Sequence, residues 1–331
     1  MTNNKPSNTK ELKLNSGKSG IFGTRSKWFV FAFLIFPIIQ FIVFFIIVNY
    51  RSILMGVSDI NGNFDWGKTN WELFVREWNE TEQPIQTSLK NSIIYFIVCN
   101  LINLPLVVVF AYLLFKKCVG HRAFRVIFFM PSIIGAVVFC TLFRFFVGRM
   151  QSQMGPVLFL TAKLYELFGA ELPAEVLNQG LLGNTSTAFA TIMVETLWTG
   201  FGMSLILVSG ALARLPESIF EAAKIDGVGM WHEFWNIVFP LLMPTITSVF
   251  MLNLAGIFTF FTPVMLLTGG NNGTSTIGWY IARFTLDRAK NPGHGNLNYP
   301  AFVGLFVTLI AVPFVLIIRK VLDKLTPDVS Y

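Results

Sequence analysis

Six long apolar runs, at residues 28–50, 93–115, 124–146, 187–211, 237–267 and 301–318, constrain this chain more than anything else in it. A helix needs about 20 predominantly apolar residues to cross the hydrocarbon of a bilayer. The runs are continuous, so they predict an all-α membrane protein with six transmembrane helices. Composition agrees. Charged residues are 13% of the 331, against about 25% in an ordinary soluble domain. The fifth run is overlong. Pro240 and Pro244 near its start and Pro263 near its end predict a kinked or tilted path rather than one straight rod.

An even number of spans places both termini on one side of the membrane. The Lys/Arg bias decides which side. With the N-terminus inside, Lys5, Lys10, Lys13, Lys18, Arg25 and Lys27 of the tail, Lys116, Lys117, Arg122 and Arg125, Arg214 and Lys224, and Arg319, Lys320 and Lys324 all fall on the cytosolic side. The longer opposite loops hold most of the acids, among them Asp59, Asp65, Glu72, Glu77, Glu80 and Glu82. Both termini are therefore expected in the cytosol. The run from Trp28 to Tyr50 is too long for a signal-peptide core and lacks a small-residue cleavage site, so it reads as a retained first span. The expected organisation is a basic cytosolic tail (1–27), a first span with an outer loop (28–86), a core of five spans (87–320) and a short cytosolic tail (321–331). Gly155 to Phe168 reads as an amphipathic piece of an outer segment.

Several chemistries are excluded at this level. The net charge is +7, but the basic residues flank spans instead of forming a face, which argues against nucleic acid. Cys99, Cys118 and Cys140 are too few and too scattered for a disulfide framework, and His121, His232 and His294 have no metal-ligand spacing. One motif is a decoy. Gly62-Asn63-Phe64-Asp65-Trp66-Gly67-Lys68-Thr69 satisfies G-x-x-x-x-G-K-[ST], yet that pattern holds phosphate only where a buried strand leads in and a helix follows. Here an aromatic-rich outer loop leads in. Gly17-Lys18-Ser19 lacks the first glycine altogether, so no nucleotide or metal cofactor is expected on this chain.

The segment Glu221-Ala222-Ala223-Lys224-Ile225-Asp226-Gly227, followed by Ile237 and Phe239-Pro240, is different. It lies in a polar loop, 213–234, between the fourth and fifth spans, on the side assigned to the cytosol. Leu215-Pro216-Glu217-Ser218 opens a short helix, with proline in a tolerated first-turn position and an acid near the positive dipole end. Ala222 and Ala223 are small enough for a partner to approach the backbone. Asp226-Gly227 offers the left-handed position that ends the helix.

Read as E-A-A-x3-G-x9-I-x-x-P, the loop resembles the signature loop of the membrane subunits of bacterial ATP-binding-cassette importers. The chain is similar to the sugar-type permeases of binding-protein-dependent importers, the maltose and glycerol-phosphate kind, over about residues 28–320. Leu89-Lys90-Asn91-Ser92, Phe124-Arg125 with Phe128-Phe129-Met130-Pro131, Trp198-x-Gly200, Ile225-Asp226-Gly227 and Thr268-Gly269-Gly270 with Thr274 and Thr276 carry the resemblance. Phe239 replaces the usual leucine, and Asn271-Asn272 replaces glycine–proline.

The resemblance implies the six-span fold of a type I importer permease in the bacterial cytoplasmic membrane. It also implies a second permease subunit, two cytosolic ATPases that bind the ATP and Mg, and an extracytoplasmic sugar-binding protein. Glu221, Ala222, Ala223, Asp226, Gly227, Ile237 and Pro240 would form the ATPase-coupling element, with Glu221 placed to pair with a basic residue of the ATPase. The substrate path would include Ser132, Thr196, Thr199, Gly200, Met203, Ile257 and Phe260, though each taken singly is equally well a packing residue.

Glu195 and Trp198 are neighbours on one helix. A carboxylate beside an aromatic plane suits a sugar; a structural ion pair, for example with Arg144, is the competing reading. The path set is mostly uncharged, which fits a neutral oligosaccharide. An amino-acid or peptide permease of the same class is the nearest rival. An ion-coupled secondary transporter would want more charge within the spans, and a receptor or scaffold would show a large extramembrane domain.

Overall fold

The computed structural model describes residues 24–59, 61–79, 85–150, 153–290 and 297–325. The tail up to residue 23, with Gly17-Lys18-Ser19, and the C-terminal residues from 326 lie outside them. The chain divides into two compact units, Met1–Ser52 and Ile53–Tyr331. The first unit is the larger part of helix α1 (Trp28–Gly56), apolar on all sides, with every side chain from Trp28 to Ser52 exposed. A helix apolar all round with no buried face within its unit is one whose solvent is lipid.

The described residues of the second unit are almost wholly helical. After α2 (Lys68–Asn79) come α3 (Ile85–Phe115), the pair α4 (His121–Ile133) and α5 (Ala136–Val147), α6 (Pro156–Leu167), α7 (Ala174–Gln179), α8 (Ala188–Leu212), α9 (Glu217–Ile225), α10 (Met230–Gly256), α11 (Thr262–Leu267), α12 (Ile277–Lys290) and α13 (Asn298–Leu325). A two-residue hairpin pairs β1 (Arg149–Met150) with β2 (Gln153–Met154). Among the described residues five helices are long and apolar enough to span a bilayer, and six spans result if α4 and α5 count as one. The amphipathic piece expected at 155–168 is α6. Helix α8 packs against α3 and α4 and is the centre of the bundle. Around it lies a core of Val107, Tyr112, Leu205, Val208, Leu212, Phe234 and Leu242.

Two expected spans are not the continuous rods their hydropathy implies. The third, expected at 124–146, bends by 112° between α4 and α5. Pro131 in the last turn of α4 has no N–H for the carbonyl of Ile127, and Ile134 and Gly135 are both extended. The freed Ile127 carbonyl accepts a bond from Trp198 Nε1 on α8, 3.3 Å away, which is how a helix break survives in a membrane. The fifth, expected at 237–267, begins earlier, at Met230, and stops at Gly256; the rest is the separate helix α11, with Pro263 in its first turn.

Prolines also explain two widened turns. Pro105 and Pro240 each follow closely on a π-helical stretch, Val98–Asn103 in α3 and Phe234–Val238 in α10. A proline ring clashes with the carbonyl four residues back, and the wider π turn moves that carbonyl aside.

The start of α3 is stitched to the loop between α11 and α12. Asn91 Nδ2 donates to the carbonyls of Gly273 (2.7 Å) and Ser275 (2.8 Å), Ser88 Oγ to Ser275 Oγ (2.8 Å), and the amide of Ile277 to Ser92 Oγ (3.0 Å). Thr276 Oγ1 adds a bond to the Phe260 carbonyl at 2.6 Å. Two of the sequence signatures, Leu89–Ser92 and Thr268–Thr276, are therefore the two halves of one buried lock.

Candidate coupling loop and translocation path

The loop after α8 is built from its last turn outward. Helix α9 begins after Pro216, whose φ of −59° is already helical and whose ψ of 132° is not. It ends in a Schellman arrangement: Gly227 has φ +70°, the Val228 amide bonds the Ala223 carbonyl at 2.9 Å, and the Gly227 amide bonds the Lys224 carbonyl at 3.2 Å. A residue with a Cβ at Gly227 would carry a left-handed penalty of about 1–2 kcal/mol. The short helix exposes Glu221, Ala222, Lys224, Ile225 and Asp226, while Ala223 is buried. Ile225 is 85% exposed, an apolar side chain on a polar tip. No hydrogen bond or ion pair within the described residues engages the Glu221 carboxylate. Ile237 and Pro240 are half-buried in the first turns of α10, one inside the π-helical stretch and one just beyond it.

What holds this loop was not visible as a motif. Glu233, buried at the start of α10, accepts a bond from Tyr112 Oη at 3.0 Å and pairs with Lys116 Nζ at 2.6 Å, both at the end of α3. Tyr112 Oη also bonds the Met230 carbonyl. Phe220 of α9 packs its ring on Phe115, with the Lys116 ammonium 5.1 Å from the ring centre. The loop is thus pinned to the end of α3 by a buried carboxylate and a cation, and α9 is left presenting Glu221 outward. A charge so close to a span end was legible for Lys116 only as an orientation signal.

The residues expected along the path separate into three groups. Thr196, Thr199, Gly200 and Met203 share one stripe of α8, running from buried Thr196 through half-buried Thr199 and Gly200 to Met203, 63% exposed. Glu195, Trp198 and Gly202 share the next stripe and face the broken third span. Glu195 accepts Cys140 Sγ of α5 at 3.7 Å and Thr196 Oγ1 at 3.3 Å. Trp198 bonds Ile127 of α4 and meets Phe139 of α5 edge-on. A Cβ on Gly202 would sit 2.6 Å from Ser132 Oγ and 2.7 Å from the Phe128 carbonyl, so α4 and α8 cross there at backbone distance. Ser132 itself is exposed.

Glu195 is 2% exposed and bonds Cys140 and Thr196 rather than Arg144, so the ion-pair reading is replaced by one in which Glu195 and Trp198 clamp the two halves of the break. Ile257 and Phe260 lie in the core: Phe260 stacks on Tyr95 at 4.0 Å between centroids, and Ile257 lines an apolar cavity of about 650 Å³ with Leu89, Phe96 and Phe306.

The G-x-x-x-x-G-K-[ST] segment, expected not to hold phosphate, uses its amides internally. The amides of Gly67 and Thr69, which would cradle a phosphate, both donate to the carboxylate of Asp65, at 2.8 and 3.0 Å. The side chain of Asp65 caps α2. The hydrogen bond from the Thr69 side chain, with those amides, holds its carboxyl below the ordinary value of 3.8.

Residues 88–330 match the family described as binding-protein-dependent transport system inner membrane component. The chain belongs to that family. Among similar members, the multiple sugar-binding transport system permease protein MsmF of Streptococcus mutans is 26% identical over 290 residues, covering 86% of this chain and 92% of that protein. The probable starch degradation products transport system permease protein AmyD of Thermoanaerobacterium thermosulfurigenes is 26% identical, over 60% and 69% of the two chains. The maltose/maltodextrin transport system permease protein MalF of Escherichia coli is 26% identical over 69% of this chain and 43% of its own length. The fold is shared with the crystal structure of a bacterial transporter of the ATP-binding-cassette kind involved in import of the acidic polysaccharide alginate: TM-score 0.72, 19% identity, 92% of this chain and 98% of that one. The permease match begins at residue 88, close to the start of α3, so α1 and α2 precede the family's common core.

Proposed function

We propose that this permease is the membrane subunit of an ATP-driven carbohydrate importer, with an oligosaccharide as cargo, coupled to a cytosolic ATPase through α9. The observation that carries the reading is the exposed, unpartnered Glu221 on a short helix closed by Gly227 and pinned from behind by Tyr112, Lys116 and Glu233. Such a helix is a rigid plug. Its backbone is fixed, the small exposed Ala222 allows close approach, and its carboxylate is free to pair with a basic residue of a partner. Relatives named for multiple sugars, maltodextrins and starch fragments supply the cargo class.

In this reading two ATPases close on ATP and Mg and draw together two such helices, one from this chain and one from a second permease subunit. The spans then rock as rigid bodies between inward and outward openings. The stripe Thr196, Thr199, Gly200 and Met203, with exposed Ser132, forms this chain's wall of the path, and Glu195 and Trp198 keep the broken third span in place behind it. An extracytoplasmic sugar-binding protein delivers the cargo. The chemistry of hydrolysis belongs to the ATPase; both termini and the coupling loop lie in the cytosol of a bacterial cell.

The test is co-purification of the ATPase and ATP-dependent sugar uptake for Glu221→Lys and Gly227→Leu, with Lys68→Ala as control. Both loop variants are expected to lose the ATPase and uptake while Lys68→Ala keeps them. Loop variants that keep both, with uptake lost in Lys68→Ala, would overturn the reading.

A further inference from the structure

The π-helical stretch of α3 carries two asparagines at the depth of the bundle centre, and they are used differently. Asn100 is satisfied: its Nδ2 donates to the Phe96 carbonyl at 2.9 Å and its Oδ1 accepts Asn253 Nδ2 at 3.2 Å. Asn103 is not. It is 5% exposed, its Oδ1 has no hydrogen-bond partner, and no bond engages its Nδ2 among the described residues. A carboxamide buried in an apolar span without partners is costly, and native structures leave few such groups unexplained. Widened π turns recur at functional positions in helices.

Its surroundings say where a partner would come from. A Cβ built on Gly200 lies 3.5 Å from Asn103 Nδ2. Gly200 is a half-buried member of the stripe that half-buried Thr199 and exposed Met203 continue, so the missing side chain leaves a gap on that stripe with the carboxamide behind it. Any residue larger than alanine at Gly200 would cover the amide.

We propose that Asn103 is a hydrogen-bonding residue of the translocation path, reached through the gap at Gly200, whose carboxamide exchanges bonds with the hydroxyls of a passing carbohydrate and with water between passages. The proposal rests on the reading of the Thr196–Met203 stripe as path wall. A carboxamide suits that role: it both donates and accepts, and it carries no charge that would trap a neutral cargo.

Cysteine accessibility tests it without knowledge of the sugar. In the assembled complex, with Cys99→Ala, Cys118→Ala and Cys140→Ser as background, single variants Asn103→Cys, Gly200→Cys and Met203→Cys are exposed to a quaternary-ammonium methanethiosulfonate, which reacts with thiolates in water. Labelling is expected at all three positions, and Gly200→Val is expected to abolish it at Asn103→Cys while sparing Met203→Cys. An inert Asn103→Cys beside a reactive Met203→Cys overturns the proposal alone, as does labelling of Asn103→Cys that Gly200→Val leaves unchanged. If Asn103→Cys fails to assemble, an inert Gly200→Cys beside a reactive Met203→Cys has the same force. An inert Met203→Cys removes the path wall itself, and the proposal with it.

Discussion

The candidate coupling loop and the lock between α3 and the α11–α12 loop both coincide with sequence signatures, yet they are opposite kinds of structure. In the lock the polar groups are used up internally. Ser88, Ser92, Thr274, Ser275 and Thr276 are buried at 2% exposure or less, and Asn91 spends both amide hydrogens on backbone carbonyls. In the coupling loop the polar groups are left over. Glu221, Lys224 and Asp226 are exposed, and the only side chain of the Glu-Ala-Ala triplet turned inward is that of Ala223. A signature of small and charged residues pointing outward is a surface offered to another chain. A signature of hydroxyls and amides pointing inward is a joint. Side-chain type separates the two only once burial is known.

The comparison is broken most sharply by Glu221→Lys. Reversing the charge on an exposed side chain is expected to leave the fold intact, since surface changes lie within about ±0.5 kcal/mol, while ATPase co-purification is lost. Asn91→Ala is the mirror image. It orphans the carbonyls of Gly273 and Ser275, at about 1–3 kcal/mol each, and is expected to lower the thermal midpoint of the purified complex with the ATPase still attached. If Glu221→Lys unfolds the permease, or Asn91→Ala releases the ATPase from a stably folded one, the two regions are not the surface and the joint described here.

Glu233→Ala sits between these extremes and sharpens the distinction. It removes the carboxylate that holds Tyr112 and Lys116 against the start of α10, a loss of about 1–3 kcal/mol for bonds to a charged group, half of it partly solvated. The expected result is an ATPase that still binds through Glu221, with uptake reduced because α9 no longer transmits displacement to α3. Uptake at the wild-type level, measured alongside co-purification, would assign the pair to local stability only.

Much of this was legible from the residues. Six apolar runs set the expected number of crossings, because the bilayer sets the length of a spanning helix regardless of neighbours, and the described residues hold five such helices, or six with α4 and α5 as one span. Gly227 announces the end of α9, because few other residues take φ +70° cheaply. The break in the third span was missed although Pro131 was in view, since a hydropathy window averages over a bend and cannot see that Trp198 is positioned to take the Ile127 carbonyl. Glu195 shows the same limit. Its adjacency to Trp198 and a partner on the third span were read from the sequence, but the partner is Cys140, one turn before Arg144 on α5, and which turn meets Glu195 depends on the packing of α8 at Gly202. Tyr112, Lys116 and Glu233 meet across more than a hundred residues of chain, a distance over which no local pattern speaks. Asn103 was invisible for a different reason: what singles it out is the absence of a partner.

The smallest expected effect concerns the decoy loop, and it is a pH effect. Asp65 is half-buried, and its carboxyl lies below 3.8 because the Thr69 side chain and the Thr69 and Gly67 amides bond the ionised form. A depressed carboxyl pKa favours the fold above the unfolded value and ceases to do so as pH falls through the lower, folded value. The cap on α2 is therefore complete at neutral pH and is lost only in acid, below 3.8. Amide hydrogen exchange in the first turn of α2 should show protection that disappears over that acid window, once corrected for the intrinsic rate. In Asp65→Asn the window should vanish while part of the protection remains, because asparagine still accepts an amide hydrogen bond at a helix start. The same experiment weighs the phosphate-loop pattern. With Asp65 on the amides, millimolar ATP should leave exchange at Gly67 and Thr69 unchanged; slowed exchange on adding ATP would mean that the carboxylate yields its place to phosphate, and that this loop is a binding surface after all.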